Sequence, residues 1–129
     1  MASELRVDTL KDSSGNNSVG MSYVAEGSAK AWVNFNGSSS ASNPNSIRVS
    51  FNCSTYTDNG TGDYTITLTN SMNATNGYSA TNGSGSNRYG SYQTDGDLAT
   101  GSITMRTQYG DAAYSDAAHN NITIHGDLA

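Results

Sequence analysis

Residues 58–69 read Asp-Asn-Gly-Thr-Gly-Asp-Tyr-Thr-Ile-Thr-Leu-Thr, and this stretch decides how the chain folds. Its first half is turn chemistry: Asp58-Asn59-Gly60 turns the chain, and Gly62 permits a positive φ or a bulge. Its second half alternates Tyr64, Ile66 and Leu68 with threonines, the period of a strand buried on one face. The aspartates and glycines also invite a ligand-loop reading, which fails. Gly60 and Gly62 occupy the third and fifth positions, where calcium ligands belong, and no acidic residue closes the loop at the twelfth. A phosphate cradle would need a lysine and a following helix, whereas DYTITLT is a strand. We read a hairpin.

The same alternation recurs on both sides of it. Ala31, Val33 and Phe35 share one face, opposite Trp32, Asn34 and Asn36. Ile47, Val49, Phe51 and Cys53 alternate with Arg48, Ser50 and Asn52, which predicts one strand with those four side chains inward. Ile103, Met105 and Thr107, and then Ile122 and Ile124, repeat the pattern. Weaker strands are expected around Tyr78 and from Tyr89 to Tyr92. No segment sustains a helical period, and Pro44 falls in a loop between strands. Short strands separated by Gly- and Asn-rich turns predict an all-β fold, an antiparallel β-sandwich of jelly-roll-like or small-barrel form.

Composition bounds the rest. The chain has 129 residues, room for one domain. Leu, Ile, Val and Phe number only 17, so the core is thin and stability must be supplemented. A disulfide within the chain is ruled out because Cys53 is the single cysteine; its inward phase makes it a small core hydrophobe, and its solitude fits a reducing compartment. No secretory apolar region follows Met1, and no apolar run is long enough to span a membrane. A net charge of −5 with scattered Lys and Arg argues against nucleic acid.

Residues 1–28 differ from the remainder. Two weak apolar groups, Val7 with Leu10 and Val19 with Met21 and Tyr23, flank a Ser-Ser-Gly-Asn-Asn turn and lack the bulk for a core of their own. We read an N-terminal assembly arm over 1–28, packing on a neighbouring subunit, ahead of a sandwich domain over 29–129. Folding back on its own sandwich is the alternative. Trp32, a large apolar side chain in the outward phase, belongs with the assembly contacts Val7, Leu10 and Met21.

Catalytic and metal-binding patterns are not found. His119 and His125 lack metal-ligand spacing, the many serines lack a nucleophile elbow, and Asp95 and Asp97 sit in a Gly-rich loop. The expectation is therefore no enzyme, no cofactor and no metal. Eight tyrosines against two phenylalanines is the more informative bias. Tyr89, Tyr92, Tyr109 and Tyr114 stand in polar, glycine-rich segments of the kind that recognition loops use. Of these, Tyr89, Tyr92 and Tyr109 are the candidates for receptor or glycan contact.

Three strings carry a family resemblance: AKAWVNFNG, then SIRVSFNCSTYTDNGTGDYTITLT, then NNITIHGD. Together with the opening LRVDTLKDSSGNNSV, they resemble a domain of tail fibre and related virion proteins of marine and cyanobacterial phages. The resemblance covers about residues 4–70 and the last strand, and carries no catalytic motif. It implies a β-rich, trimeric structural protein of the virion, made in a bacterial host cytoplasm. Its partners would be copies of itself, other phage virion proteins and host surface polysaccharide, with no nucleic acid and no membrane insertion. A decoration protein on the phage head and a soluble carbohydrate-binding module are the alternative functions.

Overall fold

The computed structural model describes residues 3–39, 46–85, 87–92 and 95–129. The Pro44 loop, residues 40–45, lies outside the described residues. Ten strands are described: β1 (Thr9–Lys11), β2 (Ser18–Gly20), β3 (Ala29–Phe35), β4 (Ile47–Phe51), β5 (Cys53–Gly60), β6 (Asp63–Leu68), β7 (Tyr78–Ser84), β8 (Tyr89–Ser91), β9 (Ser102–Gln108) and β10 (Asn120–Gly126). A helix α1 (Met21–Gly27) and a 3-10 turn (Asp95–Asp97) complete them. Strands β4-β3-β10-β7 form one sheet and β5-β6-β9-β8 the other, all pairs antiparallel. The two sheets pack face to face as a sandwich.

The core follows the alternation. Ala31, Val33 and Phe35 from β3 and Ile122 and Ile124 from β10 face Tyr64, Ile66 and Leu68 from β6 and Ile103 and Met105 from β9. With so few aliphatic residues, aromatic rings supply the bulk. Phe35, Tyr56 and Tyr64 form a mutual cluster with ring centroids 5.1–5.7 Å apart, and the Phe35–Tyr64 pair meets edge to face. Met72, in the β6–β7 connection, is buried in the same core.

The strand expected over Ile47–Cys53 is corrected. Phe35 pairs with Ile47, but Asn34 pairs with Val49, so Arg48 is an extra residue in a bulge. One inserted residue inverts the phase of everything after it. Val49 and Phe51 therefore point outward, 52% and 54% exposed, beside Asn34 and Trp32. At Asn52 the backbone takes a positive φ of 54° and the chain crosses to the second sheet. The Asn52 side chain fixes that crossing. Its amide donates to the carbonyls of Lys30 and Asn70, and its oxygen accepts from Asn70 N at 2.7 Å. Beyond the crossing, Cys53 is half-buried against the core.

The β1–β2 hairpin and α1 lie within residues 3–28, and β3 begins at Ala29. The helix departs from the absence of helix read in the sequence. Its seven residues make two turns, too few to display a period, with Met21 and Val24 the half-buried pair. It lies against β10 and β2.

Candidate functional site

The DNGTGD hairpin is organised by its own polar groups. Asp58 Oδ1 accepts from Gly60 N at 3.0 Å, and Asn59 Nδ2 donates to Asp63 Oδ1 at 3.0 Å. Asp63 is an ion-pair partner of Arg106, whose Nε lies 3.1 Å from Asp63 Oδ2 and whose Nη1 lies 2.6 Å from the buried Asp97. That pairing raises the Arg106 pKa, chiefly through the bond to Asp97. The chain reverses at Thr61–Gly62, one pair beyond Gly60↔Asp63, rather than at Asp58–Gly60. Gly62 sits at φ +65°, and a Cβ there would lie 2.8 Å from Ser115 N. Its N–H donates to Asp116 Oδ1 at 2.7 Å. The hairpin is architecture, and it anchors the segment 114–116.

What that segment builds is a row of side chains. Tyr89 pairs with Gln108 across β8 and β9, and Gln108 pairs with Tyr114 on its other side. Directly opposed residues of antiparallel strands project to the same face. Thr107 is inward and fully buried, so Tyr89, Gln108 and Tyr114 take the outer face. The next row on that face is Ser91, Arg106 and Asp63, with Asp97 of the 3-10 turn bonded to Arg106. Tyr89 and Tyr114 are 62% and 44% exposed. Tyr109 flanks the row: the Arg88 guanidinium stacks 4.7 Å from its ring centroid, donates to its hydroxyl at 2.8 Å and donates to Ser115 Oγ at 3.0 Å.

Of the three tyrosines proposed for recognition, the structure brings Tyr89 and Tyr109 to this end of the sandwich. Tyr92 goes elsewhere. It follows Ser91 in the opposite phase and packs against the core, where burial raises its pKa. Tyr114, which the sequence shows in a polar, glycine-rich segment but outside those three candidates, joins the row through its pairing with Gln108.

The second surface is apolar. Of the expected assembly residues, Val7, Leu10 and Trp32 are exposed, and Met21 is half-buried in α1. Leu5, Val19 and Tyr23 extend the exposed set on the arm. On the outer face of the first sheet, Trp32 pairs directly with Phe51 and lies beside Val49. The bulge at Arg48 thus brings Val49 and Phe51, which alternation alone had assigned to the core, beside the outward Trp32.

His119 is exposed, whereas His125 is half-buried in β10 opposite Ala29 and Ser79. The side chain of Asp95 lies outside the described residues. Among the described residues, no group of three or more His, Cys, Asp or Glu side chains is placed to hold a metal ion, and no helix is long and apolar enough to cross a membrane. Comparison with family models, curated proteins and solved structures found no match to the chain.

Proposed function

We propose that this protein is a non-enzymatic structural component of a phage virion, of the tail-fibre type. It assembles as a homotrimer through its arm and offers its tyrosine-bearing end to a host surface. What supports the reading is the set of apolar side chains that the single chain leaves uncovered. Leu5 and Val7 stand exposed ahead of the hairpin and Leu10, Val19 and Tyr23 on the hairpin and helix, with Trp32, Val49 and Phe51 exposed on the sheet. An isolated two-stranded hairpin is marginal in water and gains stability when its apolar side chains are covered. A thin core leaves little stability to support such an arm without a partner.

Light scattering on the full chain tests the assembly. A mass near three times 13.5 kDa is expected, falling to the monomer value in Leu10→Asp and Val19→Asp variants. A monodisperse monomer at high protein concentration would remove the assembly reading. Imaging intact particles with a label on the chain tests the location: copies arranged with tail symmetry agree with the proposal, and copies on the capsid lattice contradict it.

A further inference from the structure

We infer that the outer face of the β5-β6-β9-β8 sheet, across Tyr89, Gln108 and Tyr114, binds a neutral saccharide. The inference deepens the functional reading, on which it rests for the source of the sugar.

Tyr89 pairs with Gln108 on one side and Tyr114 bridges to it on the other, so the backbones of the two tyrosines stand two inter-strand spacings apart, about 10 Å, with Gln108 between them. Each ring offers a rigid apolar face with few rotatable bonds to immobilise, suited to the C–H face of a pyranose. Gln108 supplies both an acceptor oxygen and two donor hydrogens, the complement of a sugar hydroxyl. The platform is pinned from below. Ser115 N donates to Thr107 O at 3.1 Å, Thr107 Oγ1 donates to Ser115 O at 2.6 Å, and Asp116 holds Gly62 N. On the other flank, the Tyr89 ring lies against Gly110, its Cε2 3.8 Å from where a Cβ would stand. Binding therefore requires little ordering of the backbone.

Electrostatics selects among ligands that stack on aromatic rings. Arg106 is committed to Asp63 and Asp97, and Arg88 to Tyr109 and Ser115. The chain carries a net charge of −5. A strand of nucleic acid or an acidic sugar would bring further negative charge to cations already engaged, and phosphate binding depends on such cations. A neutral sugar brings none.

Saturation-transfer NMR on the full chain provides the test, with cellohexaose, maltohexaose and a β-1,4-galactan oligomer as neutral probes and an oligogalacturonate as the acidic one. Saturable transfer to at least one neutral probe is expected. Tyr89→Ala and Tyr114→Ala should each weaken it about tenfold or more, as removal of a stacking ring does elsewhere. Tyr114→Phe keeps the ring and should retain binding; because both alanine variants alter exposed side chains, an unchanged amide spectrum away from the site checks their fold. Absence of binding to all three neutral probes overturns the inference, as does preference for the acidic probe or unchanged binding in both alanine variants. Mass is measured on the same samples. An oligomer that binds no neutral sugar sinks the saccharide site and spares assembly, and a monomer that binds one does the reverse.

Discussion

The hydroxyl of Tyr64 donates to Asp116 Oδ1 at 2.9 Å, joining the centre of the aromatic core to the loop that carries the tyrosine row. The same carboxylate oxygen accepts from Gly62 N, so one half-buried side chain holds the hairpin, the β9–β10 connection and the core together. Burial above all, opposed by a hydrogen bond with Thr107 and reinforced by the Asp116 carboxylate, raises the Tyr64 pKa to about 12. An unfolded tyrosine titrates near 10, so the folded state binds this proton more tightly. The stabilisation is full below about pH 10 and is lost as pH rises towards about 12. Urea midpoints followed from pH 8 upward should fall in that window, and Tyr64→Phe should flatten the fall. At neutral pH the same substitution should cost about 1.5–3 kcal/mol, the range for a hydrogen bond to a charged group.

Glycine substitutions separate strain from crowding. Gly15 and Gly62 both have positive φ, 73° and 65°, but a Cβ at Gly15 meets nothing within 4 Å. At Gly62 the added atom presses on the backbone of Thr107 and Ser115. Gly15→Ala should cost about 1 kcal/mol, the strain alone. Gly62→Ala should cost at least about 2 kcal/mol more, because backbone cannot move aside as a flexible side chain does. Denaturant unfolding of the two variants measures the difference; equal losses would contradict the close approach.

Cys53 should be slow to alkylate. Its thiol is half-buried with Sγ 3.6 Å from Trp32 O, and burial raises its pKa to about 11. The thiolate is the reactive form, so iodoacetamide at pH 8 should label the folded chain about two hundredfold more slowly than an ordinary thiol of pKa near 8.5. Labelling in urea should recover the ordinary rate. Rapid labelling without denaturant would contradict the burial.

Trp32 gives a direct view of the apolar patch. It is the single tryptophan, 36% exposed and paired with Phe51. If assembly covers it, its emission should shift to the blue as protein concentration rises. Phe51→Ser should abolish that shift while changing the stability of the separated monomer by less than about 0.5 kcal/mol, as surface substitutions do. Had Phe51 been a core residue, the loss would be several kcal/mol.

The primary structure by itself disclosed the repeats of inward side chains at 31–35, 64–68, 103–107 and 122–124, because a period of two persists wherever one sheet face is buried. Turn chemistry marked a hairpin ahead of Asp63, although it put the reversal at Asp58–Gly60 and the pairing puts it at Thr61–Gly62, and the scarcity of aliphatic residues foretold a thin core. Three matters were settled only by long-range pairing. The bulge opposite Asn34–Phe35 turned Val49 and Phe51 outward, since a register shift is a property of two strands together. Two short turns of helix over Met21–Gly27 form against β10, where packing outweighs a weak local preference. The row of Tyr89, Gln108 and Tyr114 joins residues up to 25 positions apart, and no local pattern along the chain encodes which residues lie side by side across a sheet.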